Sequence, residues 1–106
     1  METSNPIEEI TARIVRNFRP EKIILFGPRA HGNPGPDSDY DLLVILPFEG
    51  RPFMKSVEIL QTVHADVSLD LVARTPEDVA RRYREFDPLM RHALDHGRIL
   101  YERHAS

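Results

Sequence analysis

Apolar residues recur at helical spacing from Ile7 through Ile10, Ile14 and Val15 to Phe18, which predicts an amphipathic helix over Ile7 to Phe18. Asn5 is placed to cap it, Pro6 suits the first helical position, and Pro20 prevents its continuation. Lys22 to Phe26 is a short apolar run that ends at Gly27-Pro28, the mark of a buried strand. Arg29 to Gly32 has room for one helical turn, and Asn33 to Asp37 (NPGPD) is dense in turn formers and reads as a loop. Tyr40 to Leu46 predicts a second strand, ended by Pro47. Phe53 to Val63 predicts a second helix, with Phe53, Val57, Leu60 and His64 along one side.

Val67 to Val72 predicts a third strand. Thr75-Pro76-Glu77-Asp78 has the composition of a helix start: a capping hydroxyl, a proline at the first position, then acids in the first turn. That helix is expected to reach about Phe86. A short one begins at Pro88 and breaks at Gly97, and Ile99 to Tyr101 is expected as a last edge strand. The alternation implies an α+β, two-layer domain spanning residues 1–106: a small mixed sheet with helices packed on one face.

The length of 106 residues fits one core but no deep, self-contained cleft, so a substrate lies on an open face or a partner completes the site. With 41% hydrophobic and 29% charged residues the chain has the balance of a soluble globular protein. A net charge of −3 gives no general basic footprint for nucleic acid. The absence of cysteine removes disulfides, thiolate catalysis and cysteine-based zinc sites. No apolar run approaches membrane-spanning length, and a cytoplasmic location is expected.

The candidate chemistry lies in the acids. Residues two apart in a strand share a face, so Asp39 and Asp41 point the same way at the start of the second strand. Asp70 alternates with Leu69 and Leu71 in the third. If those strands are neighbours, three carboxylates meet on one patch. Such a group is self-repelling, and a divalent cation with substrate phosphates resolves the repulsion. Taken singly, each acid has an ordinary role: Asp39 in a turn, Asp41 at strand entry, Asp70 beside an arginine. The set of three favours the shared cation. Gly27-Pro28-Arg29, between a strand and a helical turn, is a place where backbone N–H groups could receive phosphate.

The segments Phe26-Gly27-Pro28-Arg29-Ala30-His31-Gly32 and Ser38-Asp39-Tyr40-Asp41-Leu42-Leu43-Val44 resemble the signature of the minimal nucleotidyltransferases, small relatives of DNA polymerase β. Asp70 and the ending Gly97 to Glu102 fit the same resemblance, which covers nearly the whole chain. It implies catalytic and metal-binding roles for Asp39, Asp41 and Asp70 at a two-ion Mg²⁺ site, with nucleotide binding by Gly27, Arg29 and Ser38. It also implies transfer of NMP, AMP from ATP, to a hydroxyl acceptor. Larger relatives carry an added helical domain for the acceptor. This chain has no room for one, which points to a protein acceptor. The resemblance suggests a HEPN-type helical partner, with this chain as the antitoxin of a toxin–antitoxin pair. Homo- and hetero-oligomers both remain open.

One position departs from the pattern. Pro28 stands where the family has serine and offers neither a hydroxyl nor an N–H. The alternative is therefore an impaired nucleotidyltransferase-like module that neutralises its partner by docking alone. A phosphohydrolase using the same acids is a third reading. Arg74, Arg81, Arg82 and Arg84 read as a solvated helix face, as do His92 and His96, and the Arg91-x4-His96 spacing reads as chance.

Overall fold

The computed structural model describes residues 6–30 and 39–103. Its elements run α1 (Pro6–Phe18), β1 (Lys22–Phe26), a 3₁₀ turn (Pro28–Ala30), β2 (Tyr40–Ile45), α2 (Pro52–Val63), β3 (Leu69–Arg74), α3 (Pro76–Arg84), α4 (Pro88–His96) and β4 (Arg98–Glu102). The sheet order is β3-β2-β1-β4. β1 is antiparallel to both β2 and β4, while β2 and β3 are parallel, so the sheet is mixed as expected. The predicted cap at Asn5 lies outside the described residues.

The helices do not all lie on one face. Ile23, Leu25, Leu42 and Val44 point to one side and pack with Ile7, Ile10 and Ile14 of α1 and with Ile59 and Val63 of α2. Ile24, Phe26, Leu43 and Ile45 point to the other and pack with Val79 of α3 and with Met90 and Ala93 of α4. The expectation of helices on a single face is corrected by β1 and β2 themselves. Their apolar runs are buried on both sides, which requires cover on both.

α1 buries Ile7, Ile10 and Ile14, with Val15 and Phe18 partly buried beside them, as the stripe predicts. It ends where Arg19 turns to a φ of 49°, before the buried Pro20. Arg13 Nη1 donates to the carbonyl of Val63 at 2.6 Å and ties α1 to the end of α2.

α2 turns a different side inward than expected. Its buried residues are Ser56, Ile59 and Val63, whereas Phe53 is 73% exposed and His64 is outside the core. Ser56 makes the difference. Its hydroxyl donates to the Pro52 carbonyl at 2.9 Å and accepts from the Ala73 N–H at 3.0 Å. A polar residue thus occupies the inner face and satisfies a backbone donor of β3, which lies at a sheet edge.

β3 begins two residues later than predicted, at Leu69, and runs to Arg74. Thr75 caps α3 as expected, accepting from the Asp78 N–H at 3.2 Å. That helix stops at Arg84, short of Phe86, because Phe86 adopts a left-handed φ of 63°. Asp87 then caps α4 by accepting from the Met90 N–H at 3.0 Å. Gly97 ends α4 hard against β1. A Cβ there would collide with the Ala93 carbonyl oxygen and Ile24 Cγ2. Among the described residues, no helix is long and apolar enough to cross a membrane.

Candidate active site

The parallel pairing of β2 with β3 sets Asp41 directly opposite Asp70. Asp39 immediately precedes β2, two residues from Asp41. The sequence could not supply this adjacency, and it is what brings the acids together. Asp39 and Asp70 are exposed, and Asp41 is partly buried. Burial, then the charges of Asp70 and Asp39, push the Asp41 carboxyl above the ordinary aspartate range. The fold therefore holds like charges near one another at one end of two adjacent strands.

Asp41 also pairs with Phe26 across β1 and β2, next to Gly27. Gly27 has a φ of 78°, and a Cβ on it would fall on Asp41 Oδ2 and lie 3.1 Å from Asp41 Cγ. Only glycine meets both conditions: a left-handed backbone and a carboxylate in the space a side chain would fill. From its place after a strand, Gly27 is expected to let phosphate approach. Its observed contact is with the acid.

Pro28 opens the 3₁₀ turn, which is closed by the Ala30 N–H donating to the Gly27 carbonyl at 3.1 Å. The Arg29 guanidinium lies 4.6 Å above the Tyr40 ring. Tyr40 packs with Ala30 against the α1/α2 side of the sheet, whereas Asp41, by alternation, faces the α3/α4 side. Arg29 is thus seated on the face of β2 opposite Asp41. Tyr40 is thus the seat of Arg29, a link that no local spacing in the sequence announces. Ser38 lies outside the described residues.

Among the described residues, no three His, Asp or Glu side chains already form a group able to hold a metal ion. The donors fit magnesium in a different way. They are hard carboxylate oxygens that repel one another, and two of the three are exposed to solvent, which suits an ion that keeps water and substrate phosphate among its ligands.

Arg74 of β3 and Arg81 and Arg82 of α3 are engaged in ion pairs within the chain. Asp78 pairs with Arg74, Arg81 and Arg82, and Arg82 also reaches Asp87 at 3.1 Å. His92 meets Phe26 edge-on with ring centroids 6.4 Å apart, and His96 lies 5.8 Å from His92. These two histidines border the α4 side of the sheet.

A family model described as Polymerase beta, Nucleotidyltransferase matches residues 8–106. A comparison with curated proteins finds no match.

Proposed function

The chain belongs to the polymerase β nucleotidyltransferase family, and from that premise we propose that Asp39, Asp41 and Asp70 form the centre at which it transfers a nucleoside monophosphate from an NTP to a hydroxyl group. The observation that carries this reading is the registration of Asp41 against Asp70, with Asp39 beside them and the Asp41 carboxyl raised by their charges. A structural role alone gives no reason to gather like charges without a cation.

Divalent ions bound there would neutralise the carboxylates and polarise the phosphoryl oxygens. The chain's own residues have separate tasks. Asp39 and Asp41 would hold the ions, whose charge would steady the triphosphate. Asp70, on the neighbouring strand, would share the ion on the acceptor side and help draw the proton from the acceptor hydroxyl. The hydroxyl oxygen forms its bond to the α-phosphorus as the bond to pyrophosphate breaks. Gly27 keeps the space beside Asp41 clear. Nucleotide binding by Gly27, Arg29 and Ser38 follows from the family resemblance alone, and the guanidinium of Arg29, stacked on Tyr40, would have to swing round β2 to reach a phosphate at Asp41.

ATP as donor, Mg²⁺ as the ion and a helical HEPN-type protein as acceptor follow from the family resemblance. So does the place of the chain as an antitoxin. The open position of the acids suits an acceptor group presented by another macromolecule. The test is to incubate the chain with Mg²⁺, ATP and such a partner and to weigh the partner by intact mass spectrometry. The partner gains one nucleoside monophosphate with the wild type and none with Asp39→Asn/Asp41→Asn.

Pro28 favours a second reading, a module that acts by docking alone. It removes one N–H and one hydroxyl from the turn. The loss of a hydrogen bond to a charged phosphate costs about 1.5–3 kcal/mol. Under this reading, the double asparagine variant neutralises the partner as well as the wild type does.

A further inference from the structure

We propose that the outer edge of β4 and the exposed face of α1 form a two-fold interface between two copies of this chain. A groove of about 530 Å³ runs between these elements, with Ile7, Ala12 and Val15 on one wall and Ile99, Leu100 and Tyr101 on the other. Ile99 is 53% exposed. β4 closes one side of the sheet, and no strand among the described residues lies beyond it. An edge of this kind presents N–H and C=O groups that a further strand can satisfy.

The charge pattern identifies the occupant. β4 reads Arg98-Ile99-Leu100-Tyr101-Glu102. Antiparallel pairing with its own copy about Leu100 sets Arg98 against Glu102 of the second copy and Ile99 against Tyr101. Opposite charges and large apolar residues are the favoured cross-strand partners. Leu100 is also the residue that the register break with β1 skips, so it has no Cα partner on β1.

α1 repeats the pattern independently. It packs on the sheet, and a two-fold axis normal to a sheet turns a helix lying on it antiparallel to its copy. Glu8 and Arg16 both border the groove and are equally spaced about Ala12. The same axis then brings Glu8 to Arg16 of the second copy, with the small Ala12 where the helices approach most closely. Two elements side by side on one groove are each self-complementary under a single rotation. The result is one sheet continuous across both copies. This inference is independent of the nucleotidyl-transfer reading.

Sedimentation velocity over a concentration series tests it, with Glu8→Arg, Arg16→Glu, and both together. Neither Glu8 nor Arg16 belongs to the acid site, and thermal melts monitor folding of each variant. The wild type is expected to sediment as a concentration-dependent dimer. Each single swap sets like charges face to face twice and weakens the dimer by about tenfold. The double swap rebuilds the palindrome and restores the wild-type constant. Arg98→Glu, on the other element, weakens the dimer likewise. A wild type that stays monomeric at every concentration overturns the proposal and leaves the groove to another chain, with the β4 bulge acting as a guard against edge pairing. A dimer indifferent to the swaps also overturns it, by placing the interface elsewhere.

Discussion

Two charge-rich regions of this small protein are built on opposite principles. In the unit of α3 and α4, Asp78 is surrounded by Arg74, Arg81 and Arg82, and Asp87 is joined to Arg82. Burial opposes ionisation of Asp78, but hydrogen bonds from Arg82 and Arg81 outweigh it and hold the carboxyl below the ordinary range. Asp87 is held low first by the Met90 N–H and then by Arg82. At the entry to β2 the sign reverses. Burial and the charges of Asp70 and Asp39 raise the Asp41 carboxyl. In the first region opposite charges meet within the chain and serve the fold. In the second, like charges stand together, and the proposed function assigns their compensation to bound ions and a nucleotide.

The largest expected effect lies in the second region. Asp41→Asn should reduce nucleotidyl transfer by on the order of 10²–10³-fold, the usual loss when one preorganised electrostatic group is removed. The same change should leave the fold intact or slightly more stable at neutral pH, since it removes repulsion. Turnover assays beside thermal melts read both effects. A loss of activity that merely follows a loss of folding would erase the contrast between the regions.

Gly27→Ala should come next. A left-handed backbone strains alanine by about 1–2 kcal/mol, and the new Cβ pushes on Asp41. Both stability and transfer should fall, as a melt and a rate will show.

Ser56→Ala extends the comparison to a buried neutral site. It leaves the Ala73 N–H without its acceptor, at a cost of about 1–3 kcal/mol by denaturant titration. Activity per folded molecule should be unchanged, because α2 holds none of the acids.

Asp78→Asn should cost about 1 kcal/mol or less at neutral pH, because its arginine partners are partly exposed. It also has a pH signature. A carboxyl held low in the fold contributes stability that is present above the unfolded value, near 3.8, and is lost as pH falls through the folded value. The wild type should therefore lose the α3/α4 pairing in acid, and the gap between it and Asp78→Asn should close there. Asp41 works in the opposite sense. Its raised carboxyl weakens the fold as pH rises through the unfolded value and up to the folded one, so the benefit of Asp41→Asn should appear on raising pH and vanish in acid. Melts of the two variants over a pH series would show both gaps closed in acid and opening with opposite sign as pH rises.

Much of this contrast can be read in the sequence, although not all of it. Two acids spaced by one residue at the head of an apolar run announce a shared face, and Thr75-Pro76-Glu77-Asp78 announces a capped helix. The pairing of β2 with β3 is a tertiary choice between strands separated by α2, and no local spacing encodes it. The seat of Arg29 on Tyr40 is hidden for the same reason. The inner face of α2 is not legible from hydropathy, which sets Ser56 outward, whereas its hydroxyl has two backbone partners. The placement of helices on both faces does have a signal in the sequence. The uninterrupted apolar run of Ile23 to Phe26 already calls for cover on both faces.

The most direct test of the acid site is calorimetric titration of the chain with ATP in the presence and absence of Mg²⁺, beside Asp39→Asn/Asp41→Asn. The account predicts binding that needs Mg²⁺ and disappears in the double variant while the fold survives. ATP binding that is equal in the variant, or independent of the metal, would contradict it.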